Sequence, residues 1–183
     1  MREADVYVAL EKVTRLLEAD GIAYAVVGAL ALNEYGYRRT TVDVDLLLTS
    51  EGLARFKERH LGLGYLEKFP GSRGLRDTET GVNIDVILAG DFPGDGRPKP
   101  VAFPDPSTTA VRGARIALLP LPNLIEIKLA SGMSASHRLR DLADVLELIR
   151  AAGLERALGA QLDPSVRAKF DELWVAAQGT DPE

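Results

Sequence analysis

Between Val42 and Leu48 the chain reads Val-Asp-Val-Asp-Leu-Leu-Leu, and between Val82 and Leu88 it reads Val-Asn-Ile-Asp-Val-Ile-Leu. Both runs have the apolar, β-branched character of a buried strand, yet Asp43 and Asp45 interrupt the first and Asp85 the second. Side chains two apart on a strand share a face, so Asp43 and Asp45 project together. Like charges side by side on a strand otherwise built for a core are costly to desolvate unless something positive lies between them. A divalent cation meets that need. The competing reading is an edge strand with a wet outer face, and for Asp85 a paired core aspartate.

The segment before Asp43 adds a second constraint. Tyr24 to Val27 reads as a buried strand, Gly28 as a turn, about Leu30 to Tyr35 as a short helix, and Gly36 to Thr41 as a basic polar loop. Without a side chain, Gly28 either lets a phosphate approach the amides that open the helix or only makes a tight strand-to-helix turn. Arg38 and Arg39 are either exposed loop residues or partners for carboxylate and phosphate.

Taken together, Val27-Gly28-Ala29 followed by Asp43-Val44-Asp45 resembles the signature of the nucleotidyltransferase superfamily, which has the polymerase-beta-like fold. That signature is a hydrophobic residue, Gly, then Gly or Ser, a short spacer, and Asp-x-Asp or Asp-x-Glu. Arg39-Thr40-Thr41 is similar to the Arg-x-Thr run that often precedes the first aspartate, and Asn83-Ile84-Asp85-Val86-Ile87 to the element bearing the third carboxylate. The resemblance implies a Mg²⁺-dependent enzyme moving a nucleoside monophosphate from an NTP to an acceptor hydroxyl or phosphate. In that reading Asp43, Asp45 and Asp85 are catalytic and hold two Mg²⁺ ions, Asp85 also assisting deprotonation. Gly28, Ala29, Arg39 and Thr40 fall at the nucleotide. Ala29 departs from the signature: it keeps the amide but offers no hydroxyl.

Further on, the run Leu119 to Ile149 resembles the C-terminal helical part of nucleotidyltransferases related to the toxin of the AbiE abortive-infection system. On that resemblance Lys128 contacts the triphosphate, Asp141 holds Lys128 or contacts the nucleotide, and a cognate antitoxin or toxin is a partner. Without it, Arg138, Arg140, Asp141 and Asp144 read as a charge lattice on a solvated helix face.

The fold class expected is α/β (α+β), a nucleotidyltransferase-like mixed β-sheet with flanking helices, in residues 1–119, and a C-terminal helical subdomain in 120–183. Val6, Leu10, Val13 and Leu17 form one stripe of an N-terminal helix over Glu3 to Glu18. Glu51 to His60 reads as a helix capped by Ser50, Tyr65 to Phe69 as a strand, and Leu75 to Thr80 as an exposed alternating stretch. Ala89 to Thr109 is rich in Pro and Gly and reads as a lid near Asp85 or a disordered excursion. Arg115 to Leu119 reads as a strand, Pro122 to Ser131 as a buried helix and Gly132 to Arg138 as a loop. A helix over Arg140 to Ile149 follows, with Leu142, Val145, Leu146 and Ile149 as its stripe. A short helix after Gly153 and one from Pro164 to about Ala177, packed through Phe170 and Trp174, complete the pattern. The tail Gln178 to Glu183 reads as frayed.

Composition narrows the function classes. With 183 residues, 46% apolar and 27% charged, one substantial core is affordable, and a net charge of −5 argues against a protein that coats nucleic acid. A tRNA end, a protein or a small molecule such as an antibiotic stays open as acceptor. There is no cysteine for disulfides or thiolate sites, and His60 and His137 read as ordinary surface residues. The charged N-terminus does not read as a signal peptide, and no apolar run has the length of a membrane span, so the expectation is a cytoplasmic protein. Two other readings stand beside the enzyme. One is a non-catalytic nucleotide- or partner-binding protein on the same fold, which Ala29 favours. The other is a sugar-nucleotide transferase using Asp-Val-Asp, for which the segment before Asp43 is short.

Overall fold

A computed structural model describes residues 3–179, so the expectation for the tail beyond Gly179 lies outside the described residues. The chain forms two compact units. The first takes the chain up to Ala31 with Arg38–Gly90 and Pro104–Leu119; the second takes Leu32–Tyr37, Asp91–Phe103 and the chain from Pro120 onward.

The first unit is built on a seven-stranded mixed sheet. Its strands are β1 (Ala25–Val26), β2 (Asp43–Leu48), β3 (Tyr65–Glu67), β4 (Leu75–Asp77), β5 (Asn83–Leu88), β6 (Val111–Arg112) and β7 (Ala117–Leu118), in the order β3-β4-β5-β2-β1-β7-β6. The helices, in chain order, are α1 (Glu3–Ala19), α2 (Gly28–Glu34), of which only the part up to Ala31 belongs to this unit, α3 (Ser50–His60) and the short α4 (Pro106–Thr109). The two longest strands, β2 and β5, run parallel at the centre, while β1 is antiparallel to β2 and β4 to β5. Val44, Leu46 and Leu48 with Ile84, Val86 and Leu88 are buried along one face. The alternate positions Asp43, Asp45, Asn83 and Asp85 lie on the other face and are partly exposed. The expected stripe on α1 is buried in full, and four such aliphatic side chains stabilise the unit by roughly 1.5–3 kcal/mol each.

Several sequence expectations needed correction. The cap of α3 is Thr49, whose hydroxyl accepts from the Gly52 amide at 3.0 Å, not Ser50, which is already helical. Leu75 to Thr80 is not an exposed stretch: it holds β4, with Leu75 and Asp77 fully buried. Burial alone would raise the Asp77 pKa, but hydrogen bonds from Lys12 at 2.7 Å and Thr80 at 2.7 Å reverse that and hold it below its ordinary value. His60 is no ordinary surface residue either. Its Nε2 lies 2.7 Å from Asp20, and its ring packs on Phe56 with centroids 4.6 Å apart. A strand at Val111–Arg112, unforeseen, pairs with β7 as a hairpin.

The second unit is helical: α5 (Leu121–Ser134), α6 (Leu139–Ala152) and α7 (Pro164–Gln178), with 3₁₀ turns at Ser136–Arg138 and Arg156–Gln161. The first turn and the end of α5 replace the loop expected over Gly132 to Arg138. Pro164 at the first helical position and Asp163, accepting from the Ser165 amide at 2.9 Å, start α7. Phe170 is buried, and the Trp174 indole donates to the Leu154 carbonyl at 2.8 Å. Asp91–Phe103 belongs to this unit as an ordered segment, not a disordered excursion: Val101 is buried and the Phe103 amide donates to the Asp91 carbonyl at 2.9 Å. No helix among the described residues is long and apolar enough to cross a membrane.

Candidate active site

The parallel pairing of β2 with β5 sets Asp45 directly opposite Asp85 and Asp43 opposite Asn83. Because every side chain at these four positions leaves the same face, three carboxylates occupy neighbouring places on one patch of sheet. Thr41 fixes where β2 begins, its hydroxyl accepting from the Asp43 amide at 3.2 Å and donating to the Asp43 carbonyl at 3.0 Å. Asp43 Oδ1 accepts from the Asn83 side-chain amide at 3.1 Å, and Asp85 pairs with the Lys68 ammonium.

Gly28 stands beside Asp45. The Val27 amide donates to the Asp45 carbonyl at 3.0 Å, which draws the turn against the strand. At Gly28 φ is +65°, and a Cβ would lie 2.0 Å from Asp45 Oδ2 and 2.7 Å from its Cγ. No side chain fits there, so the glycine is required twice, by conformation and by space. Ala29 follows it in α2 and is 6% exposed. Arg39 and Thr40 lie in the connection between α2 and β2, Thr40 exposed and Arg39 half-buried.

Among the described residues, no three histidine, cysteine or acidic side chains are gathered closely enough to hold a metal ion as they stand. Neighbouring carboxylates repel, and Asp43 and Asp85 turn to the nearest donors, Asn83 and Lys68. It is the backbone register that places the acids on neighbouring positions of one face.

Lys128 and Asp141 lie in the second unit. Lys128, 7% exposed, donates to Asp141 at 3.0 Å and to Asp144 at 2.7 Å. The Ser131 hydroxyl donates to Asp141 at 2.6 Å, and Arg138 lies 3.0 Å from the same carboxylate. Burial pushes the Asp141 pKa up, but the Lys128 charge, the hydrogen bonds and Arg138 outweigh it, and the net shift is downward. The solvated charge lattice expected here is therefore corrected for Asp141 and Asp144, while Arg138 and Arg140 are exposed and Arg138 makes the i, i+3 pair with Asp141. Asp144 is 2% exposed, because Lys128 reaches it from α5 and makes burial tolerable.

Sequence reasoning missed Lys68, and it named Asn83 and Asp144 without their partners. Asn83 sits two positions before Asp85 on the same strand face, which puts it within reach of Asp43. Lys68 depends on partners from other elements, and no local pattern announces it.

No family model matches the chain, and no curated protein does. Among solved structures, ANT(2'')-Ia in complex with adenylyl-2''-tobramycin is similar at a TM-score of 0.55 and 12% identity, covering 93% of this chain and 95% of that one. The solution structure of the same antibiotic-resistance factor is similar at a TM-score of 0.52 and 14% identity, covering 96% and 92%. At such identities the likeness is one of fold. The chain has a nucleotidyltransferase-like fold, a mixed sheet flanked by helices with a helical C-terminal part.

Proposed function

We propose that the protein transfers a nucleoside monophosphate from an NTP to an acceptor hydroxyl and releases pyrophosphate. The observation that carries this reading is the register placing Asp45 opposite Asp85, with Asp43 on the same face and the bare Cα of Gly28 against Asp45. An all-oxygen donor set suits a hard divalent cation. Asp43, Asp45 and Asp85 are the residues that would hold two Mg²⁺ ions, which would neutralise the triphosphate and acidify the acceptor hydroxyl. Asp85 is the base in this reading. Its side chain is 45% exposed, so an acceptor hydroxyl can reach it.

Gly28, the Ala29 amide, Arg39 and Thr40 form the nucleotide side of the proposal. For the second unit we favour Asp141 as the residue that holds Lys128. A triphosphate contact would require Lys128 to leave Asp144 at 2.7 Å and take its charge from a buried carboxylate. The likeness to ANT(2'')-Ia, whose structure contains an adenylylated antibiotic, supports ATP as donor and a small hydroxylated molecule as acceptor, ahead of a tRNA end or a protein.

Ala29 favours a second reading, nucleotide binding without transfer. The two separate in one experiment: Mg²⁺ and ATP are supplied with a panel of hydroxylated acceptors, and pyrophosphate and the mass of the adenylylated product are followed. Transfer predicts product from the wild type and a loss of about 10²-fold or more in Asp85→Asn with ATP binding retained. Tight ATP binding with no pyrophosphate from any acceptor establishes the second reading.

A further inference from the structure

Lys68 lies just past β3, at the edge of the sheet, and its charge is spent on Asp85. Register explains how it gets there. Leu66 pairs with Arg76 in β4, and Arg76 with Asn83 in β5, so Leu66, Lys68 and Arg76 share the face that carries the three acids. The Lys68 amide donates to the Gly74 carbonyl at 3.1 Å, which sets the two backbones side by side. A Cβ on Gly74 would lie 2.9 Å from Lys68 Cδ and 3.4 Å from Asp85 Oδ1, so the missing side chain opens the path along which Lys68 crosses β4 to Asp85.

The pair differs in kind from the two that Lys128 makes. The side chains of Lys128, Asp141 and Asp144 are 8%, 14% and 3% exposed, whereas those of Lys68 and Asp85 are 29% and 45% exposed. An ion pair with that much water around it is weak and exchanges its partner readily. A divalent cation and an ammonium on one carboxylate repel each other.

We propose that Lys68 is a displaceable counter-ion of Asp85, a positioning residue that keeps the third carboxylate from a divalent cation arriving alone and yields it to one arriving with a nucleotide. This rests on the metal-site reading given above. The triphosphate offers the released ammonium a new anionic partner, so cation and nucleotide load together.

The test is binding of Mn²⁺, followed by electron paramagnetic resonance on the full chain, with and without a non-hydrolysable ATP analogue. Wild type, Lys68→Met, Lys68→Arg and Asp45→Asn are compared. Lys68→Met is expected to bind Mn²⁺ alone on the order of tenfold more tightly, and to lose a similar factor of the enhancement that the analogue gives. Lys68→Arg, which keeps the charge, stays near wild type. If Asp45→Asn weakens Mn²⁺ binding while Lys68→Met leaves the isotherm unchanged, the counter-ion role is overturned and the metal site stands. If Asp45→Asn has no effect, the metal site itself fails and the inference falls with it.

Discussion

Gly28 shows how much one absent side chain decides. Its φ of +65° disfavours any other residue, and the space where a Cβ would go is taken by the Asp45 carboxylate. Gly28→Ala is expected to destabilise the first unit by about 1–3 kcal/mol, read as a fall in the urea midpoint. In an Asp45→Ala background the same substitution is milder, because only the backbone strain remains. Asp45→Asn has the opposite character. It keeps the shape of the side chain and removes its charge, so the domain stays folded while metal-dependent nucleotide binding is lost. A protein that instead melts early, or binds Mg²⁺ and ATP unchanged, refutes the metal-site role. At this scale the sequence was informative where chemistry contradicted its surroundings: an acid on an apolar strand stands out at Asp43, Asp45 and Asp85. It was silent at Lys68, an ordinary lysine until β3, β4 and β5 are paired.

The network between α5 and α6 belongs to the scale of elements. Lys128 ties Asp141 and Asp144 of one helix to the other, with both carboxylates largely out of water. Lys128→Met takes the ammonium from two largely buried carboxylates and is expected to destabilise by about 3–5 kcal/mol, whereas Lys128→Met with Asp144→Leu recovers much of that loss. Denaturant unfolding of the two variants checks the pair. The pH dependence follows from the same groups. Asp141 and Asp77 have folded pKa values below their ordinary ones, so each contributes stability that is present above the unfolded value of about 4 and lost as pH falls through the folded value. Stability should be level above about pH 5 and decline below about pH 4, and Asp141→Asn should flatten part of that decline. The sequence hinted at the helices through their periodicity but misjudged Asp144, since a charge at helical spacing looks solvated until a neighbouring helix supplies its partner.

At the scale of the molecule, the long periodic segments were readable: α1, β2, β5, α5, α6 and α7 lie where the apolar patterns put them. The short strands β4 and β6 were not. β4 and β6 have three and two residues, too few for a period, and exist because a neighbour pairs with them. Strand order was beyond the sequence for the same reason, and yet it is the pairing of β2 with β5 that turns three scattered aspartates into one patch. The likeness to ANT(2'')-Ia spans 93% of the chain at 12% identity, so fold is shared where side chains are not.

The central claim is that this patch binds a nucleotide through a divalent cation. Calorimetric titration of the protein with each NTP, with and without Mg²⁺ and beside Asp43→Asn, tests it most directly. The prediction is selective binding, strongest for ATP, that needs both Mg²⁺ and Asp43. Binding indifferent to both, or no binding of any NTP to a folded protein, contradicts the claim.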